Sequence, residues 1–437
     1  MKRVVILGGG FAGLNAAKAL RKARVSVTLV DRHNHHVFQP MLYQVATAAL
    51  SPGDIASPIR SVLRNNRNTE VLLDEAAAID LGARRVHLVS GRSLPYDYLI
   101  VATGARHSYF GRDEWEPLAP GLKELEDAFV VRRRILLAFE RAEQEPDPAS
   151  REALLTFVIV GAGPTGVEVA GAIAEIKSYT LERDFRNINP RSARVIVMEG
   201  GPRVLPAYPP ELSEKAQQTL ERLGVEVCTN TMVTDIRPDG VTSSSGEHTP
   251  ARTVIWAAGN VASPLLKTLG VPLDRQGRVP VEQDSTVPGH PEVFVLGDAA
   301  AFDDKGRLLP GTCPVAIQMG KYAGSVIRRE ASASTPVPRP PFHFFDKGQL
   351  AVIGRGRAVA DIGKAHFSGF IAWLLWIFIH IFFLIGFRNR VLVLLEWAIS
   401  YFTFSRGARL ITYDRPVHMP AAPRTVDAEP AVEAGAR

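Results

Sequence analysis

Cysteine is nearly absent from this 437-residue chain, with Cys228 and Cys313 the only two. Two isolated cysteines exclude a disulfide framework, a four-cysteine iron–sulfur cluster and a cysteine-rich zinc site. Nor is there a closely spaced pair to shuttle a disulfide, so any redox chemistry must belong to a bound cofactor. Charge is missing where hydrophobicity peaks, since Phe367 to Phe387 contains no Asp, Glu, Lys or Arg. Elsewhere 46% hydrophobic and 22% charged residues describe folded globular protein rather than a disordered chain. The length suggests roughly three modules.

The net charge of +6 is unevenly placed. Between His343 and Arg415 stand nine Lys/Arg against four Asp/Glu, which accounts for five of the six. Basic residues around an apolar run point to a membrane surface before nucleic acid. At the N-terminus a basic start, Lys2-Arg3, leads into Val4-Val5-Ile6-Leu7. That run is too short for a signal peptide and ends in glycines, so it reads as a first strand and places the protein in the cytoplasm.

One pattern occurs twice. The first copy is a strand from Val4 to Leu7, the turn Gly8-Gly9-Gly10-Phe11-Ala12-Gly13, a helix, a strand from Val25 to Val30, then Asp31. The second is a strand from Phe157 to Val160, the turn Gly161-Ala162-Gly163-Pro164-Thr165-Gly166, a helix, a strand from Arg194 to Met198, then Glu199. In such a GxGxxG turn the first glycine makes the bend, the second admits a pyrophosphate, and the third lets helix and strand pack closely. The helix N-terminus offers free N–H groups to the phosphates, and the acid accepts hydrogen bonds from a ribose diol. Glu199 also favours NADH over NADPH, because a carboxylate repels a 2′-phosphate, although Arg203 stands close by.

Two buried-strand patterns end in small residues, Tyr98 to Gly104 and Val254 to Gly259; a third, Val293 to Ala300, ends in Asp298. In a doubly wound sheet that end faces the ligand crevice. His33, His35 and His36 resemble a metal cluster only by count, and solvated-loop or nucleotide contacts are expected of them. The expected fold is α/β, with two Rossmann-like dinucleotide-binding domains and a C-terminal helical membrane-anchoring module. The first domain is split (1–110 and 263–332) around a helical connector (111–150) and the second domain (151–262). The anchoring module covers 342–415 and a disordered tail 416–437.

These residues resemble the type II NADH dehydrogenases, single-subunit flavoproteins that pass electrons from NADH to a membrane quinone without pumping protons. The glycine turns are shared by many flavoproteins. More specific are the run His35 to Ala46, the stretch Gly161 to Glu168, the segment Pro314 to Gln318 and the apolar C-terminus. The resemblance implies non-covalent FAD held by Gly8, Gly10, Phe11, Ala12, Gly13, Asp31, Thr103, Gly104, Asp298 and Ala316. It implies NADH held by Gly161, Gly163, Thr165, Gly166, Glu199 and Gly259. Glu168 would be the acid near flavin and nicotinamide, and Gln318 a polar group at the quinone end of the flavin. Pro314 stands where the family commonly has a first glutamine, which leaves Gln318 alone in that loop.

Phe367 to Phe387 would form a helix of about 32 Å at 1.5 Å per residue, long enough to span a bilayer. The resemblance instead implies an anchor lying on the cytoplasmic face of the cell membrane, and that is the expected arrangement. The expected partners are NADH, a quinone and the lipid surface, with a homodimer left open and no nucleic acid. Two competing readings are a soluble NAD(P)H-dependent flavoprotein reductase serving a ferredoxin-like partner, and a nucleotide-redox-sensing binding protein. The first has no use for the apolar C-terminus, and no basic stripe outside that segment supports the second.

Overall fold

The computed structural model describes residues 1–335, 337–403 and 406–411. The tail expected at 416–437 lies outside them. The chain opens with β1 (Lys2–Leu7), α1 (Phe11–Ala19) and β2 (Val25–Asp31), followed by the short helix α2 (Leu42–Ala46), then β3 (Thr69–Leu73) and β4 (Tyr98–Val101). A long amphipathic helix, α3 (Leu125–Gln144), leads into the second unit: β5 (Thr156–Val160), α4 (Pro164–Glu175), β6 (Arg194–Met198), β7 (Val225–Cys228) and β8 (Thr253–Trp256). The chain then returns to the first unit as β9 (Thr286–Val287), β10 (His290–Val295) and α5 (Cys313–Ser332).

The first sheet has the order β9-β10-β4-β1-β2-β3 and the second β7-β6-β5-β8. All neighbours are parallel except the edge pair β9 and β10. Parallel strands need crossovers and bury both faces, so β4, β5 and β8 are buried at every residue. Antiparallel pairing of Ala105–His107 with Asn260–Ala262 ties the two units at their crossover. Helices α1 and α5 touch backbone to backbone. A Cβ on Gly320 would lie 2.2 Å from the Ala12 carbonyl oxygen, so only glycine fits there.

The C-terminal module holds the expected helices and adds a sheet ahead of them. It begins as an antiparallel sheet, β11 (Gln349–Gly354), β12 (Arg357–Ile362) and β13 (Ala365–Gly369), before α6 (Phe370–Phe383) and α7 (Phe387–Thr403). The 21-residue apolar run is therefore not one helix. Phe367 to Gly369 belong to β13, and two glycines with positive φ, Gly369 and Gly386, bracket the break on either side of α6. Arg390 fixes the turn, donating from Nε to the Leu384 carbonyl (2.8 Å) and from Nη2 to that of Phe382 (2.9 Å). At 14 residues α6 is about 21 Å long, short of a hydrocarbon core of about 30 Å. Among the described residues no helix is long and apolar enough to cross a membrane.

Sheet β11–β13 docks on α4. A Cβ on Gly171 would sit 1.7 Å from the Ile353 carbonyl oxygen, so a glycine inside that helix lets β11 press onto it.

Candidate active site

The two glycine turns are built alike to the level of individual atoms. Gly8 and Gly161 have φ of +101° and +99°, the left-handed region that glycine tolerates. A Cβ on Gly13 would fall 1.8 Å from the Gly8 carbonyl oxygen, and one on Gly166 would fall 1.9 Å from that of Gly161. At the middle positions, Gly10 and Gly163, a Cβ would meet nothing within 4 Å. That is the open face a pyrophosphate requires.

The acids close both turns. Asp31 accepts from the Gly9 N–H (2.5 Å) and the His33 N–H (2.7 Å). Glu199 accepts from the Ala162 N–H (2.7 Å) and the Gly201 N–H (2.8 Å). The Arg203 guanidinium turns away, donating to the Pro206 carbonyl at 2.9 Å. Thr165 lies in the first turn of α4.

Around the first turn, Phe11 packs edge-on to His36 and Phe38, with ring centroids 4.8 and 5.9 Å away. His36 is buried, with Nδ1 3.1 Å from the Gly9 carbonyl oxygen, and burial pushes its imidazole down to about 4. His33 does meet carboxylates in space, those of Glu124 and Glu126. Glu124 is already engaged by Arg32 and caps α3.

Thr103 Oγ1, just beyond β4, is buried without a hydrogen-bond partner, and Gly104 follows with φ +66° and an open face. Gly297, at φ +63°, meets the Ala316 and Ala12 methyls, so α1, α5 and the end of β10 converge there. Asp298 lies against Gly311, and burial, aided by the Asp298 charge, pushes the Cys313 thiol up to about 12. Both cysteines are free, and such a thiol is inert. FAD fits this half: open glycine faces, a ribose acid and an orphaned buried hydroxyl converge along the carboxyl ends of β1, β4 and β10.

Two expected residues have close neighbours of their own. A Cβ on Gly259 would lie 2.6 Å from the Phe110 ring, so Gly259 sits at the crossover between the units, just beyond the Ala257-Ala258 pair that meets Gly161. Gln318 spends its amide on one backbone unit, donating to the Phe345 carbonyl (2.9 Å) and accepting from the Phe345 N–H (3.0 Å). Pro314 occupies the first turn of α5, where proline is tolerated.

Glu168 faces a cavity of about 100 Å³, the scale of one aromatic ring, where α4 meets the C-terminal module. Its polar wall comes from Tyr43 and Gln44 of α2, Glu168 and Glu175 of α4, and Arg406; its apolar wall comes from Trp373, Trp376 and Trp397. Gln44 Nε2 donates to the Tyr43 hydroxyl (3.0 Å), and Trp397 Nε1 donates to Gln44 Oε1 (2.8 Å). Burial holds the Glu168 carboxyl well above the ordinary carboxylate range, opposed only by the Val352 N–H. Burial and the neighbouring Glu168 raise the Tyr43 phenol as well. Trp376 and Trp397 were missed because the residues they face across the cavity, on α2 and α4, are remote in sequence. A stripe of small residues, Ala170-Gly171-Ala172, was the available signal that something packs on α4.

Residues 2–320 match the pyridine nucleotide-disulphide oxidoreductase family, and residues 347–406 match the NDH2 C-terminal domain. Two Mycobacterium tuberculosis proteins named type II NADH:quinone oxidoreductase, Ndh and NdhA, are 47% and 48% identical. Each alignment covers 94% of this chain, with 90% of Ndh and 89% of NdhA. The chain belongs to the type II NADH:quinone oxidoreductases. The family's fold extends to a solved NDH2 from Plasmodium falciparum in complex with NADH, with a TM-score of 0.86 over 94% of this chain and 100% of that one, at 20% identity. A sulfide:quinone oxidoreductase from Aquifex aeolicus shares the fold at a TM-score of 0.71 and 18% identity, over 90% of this chain and 92% of that one. As a type II enzyme, the protein is an FAD-dependent oxidoreductase that oxidises NADH and reduces quinone.

Proposed function

We propose that the protein works at the cytoplasmic face of the cell membrane, reducing a membrane quinone in the cavity between α4 and the C-terminal module without pumping protons. The observation that carries this reading is the cavity itself. It joins a carboxyl that burial pushes toward its protonated form to an aromatic wall built by the two helices that expose a long apolar face.

That face includes Phe370, Ile371, Leu374, Phe378, Phe382 and Phe387, all exposed. A contiguous apolar surface of this kind marks a membrane or protein contact. Arg388 and Lys347, also exposed, stand beside Phe387 and Phe383, suited to a headgroup layer. An in-plane anchor needs no spanning helix.

Gly8, Gly10, Gly13, Asp31, Thr103, Gly104 and Asp298 would hold FAD, with Phe11, Ala12 and Ala316 packed at the turn. Gly161, Gly163, Thr165, Gly166 and Glu199 would hold NADH. Glu199 excludes a 2′-phosphate, and Arg203, committed to the Pro206 carbonyl, does not offset it. Bound FAD supplies hydride acceptance from NADH and two-electron delivery to quinone.

The chain's own residues supply position and a proton. Quinone reduction by NADH consumes one proton from solvent, because NADH brings a hydride and the quinol carries two hydrogens. The Glu168 carboxyl, which burial pushes toward its protonated form, can give that proton to a quinone oxygen. Tyr43 and Gln44 present a hydroxyl and an amide beside it. Gln318 anchors Phe345 at the entrance to the module.

Ala49 also lines the cavity. Ala49→Leu should raise the KM for a short-chain benzoquinone while NADH–ferricyanide turnover stays at the wild-type rate. An unchanged quinone KM would remove the cavity from the mechanism.

A further inference from the structure

Among the contacts that the C-terminal module makes with the nucleotide-binding body, two grip the same short helix. Trp397 of α7 holds Gln44 on α2. Arg406, only 9% exposed, donates from Nη1 to the Thr47 carbonyl (2.8 Å) and to Thr47 Oγ1 (3.1 Å). Its Nη2 donates to the Ala172 carbonyl (3.4 Å) and to Glu175 Oε2 (3.2 Å). Thr47 closes the C-terminal end of α2, while Ala172 and Glu175 belong to the end of α4.

A single guanidinium thus ties together the two helices that carry Tyr43, Gln44 and Glu168. Only a planar fork of N–H donors reaches all these acceptors at once; an ammonium on a flexible stem does not. The neighbouring Arg409 supports the clamp by donating to the Thr180 carbonyl (3.4 Å) and to Asp184, just beyond α4.

We propose that Arg406 is a positioning residue for quinone reduction, fixing α2 against α4 so that the C-terminal module completes the quinone site as well as meeting the membrane. The inference rests on the cavity reading above. It predicts that losing the module's grip impairs quinone reduction even when no membrane is present.

The test uses the purified full-length flavoprotein, a water-soluble short-chain benzoquinone and ferricyanide. Arg406→Gln should raise the quinone KM about tenfold, with flavin content and NADH–ferricyanide turnover unchanged. Arg406→Lys should behave like Arg406→Gln, because charge without the fork does not hold both helices. A wild-type quinone KM in Arg406→Gln, or a parallel loss of flavin and of both activities, would overturn the proposal. Should Arg406→Gln not fold, Glu175→Gln decides: a selective rise in quinone KM supports the clamp, and a wild-type KM or parallel loss overturns it. Ala49→Leu separates the two levels. If that variant leaves the quinone KM unchanged, the cavity reading has failed; if it raises KM while Arg406→Gln does not, only the clamp has failed.

Discussion

Phe378 and Phe387 are 69% and 82% exposed in an otherwise well-packed protein, and replacing both with serine should loosen the protein from lipid without loosening its fold. Full burial of a phenylalanine side chain is worth about 1.5–3 kcal/mol. Scaled by the exposed fractions, each ring has about 1–2 kcal/mol to gain by entering the interface. The double substitution Phe378→Ser and Phe387→Ser should therefore cost about 3 kcal/mol of membrane binding, roughly a hundredfold in partition coefficient. Co-sedimentation with phospholipid vesicles measures this directly, and thermal unfolding of the lipid-free protein provides the control. Unchanged partitioning would refute the docking face. A large fall in Tm would show instead that these rings hold α6 and α7 onto the body.

Glu168→Gln should slow quinone reduction by about a hundredfold, the scale of a lost general acid, with FAD retained; wild-type turnover would remove Glu168 from the chemistry. The same variant has a pH signature. The folded carboxyl is raised above its unfolded value, so its contribution to stability is full below the ordinary carboxylate range and is lost as pH rises through the raised value. The Tm of Glu168→Gln relative to wild type should accordingly climb from pH 4 to 8, and a flat difference would contradict the burial argument. The glycine turns separate the two nucleotides. Gly166→Ala places a methyl 1.9 Å from the Gly161 carbonyl oxygen, and overpacking of about 1–3 kcal/mol should raise the NADH KM about tenfold while the protein stays yellow. Gly13→Ala should instead yield protein depleted of flavin. Absorbance and NADH titration distinguish them, and exchanged phenotypes would reverse the assignment.

What the sequence made legible was local. Asp31 and Glu199 hydrogen-bond glycine turns within their own βαβ units, so spacing alone carried the arrangement. The two parallel sheets follow from the same repeated unit. The C-terminal module was harder because hydrophobicity does not distinguish a buried strand from a helix over short runs. Phe367 pairs with Ala360 across β13 and β12, although it continues the apolar run of α6. The break at Gly386 depends on Arg390 reaching the carbonyls that end α6. The cavity was least accessible: Arg406 meets Thr47 across 359 residues and Glu175 across 231. No local pattern encodes such partners. Gln318 satisfied a motif position while its amide was committed to Phe345, a pairing visible only in three dimensions.

The central claim, that quinone is reduced between α4 and the C-terminal module, is tested most directly by photo-crosslinking the NADH-reduced holoenzyme with an azido-benzoquinone and mapping the labelled peptides. The account predicts label on the segment carrying Tyr43 and Gln44 and on those carrying Trp376 and Trp397, with competition by unlabelled quinone. Competable label confined to the segments around Gln318 and Phe345, with none on the cavity walls, would contradict it.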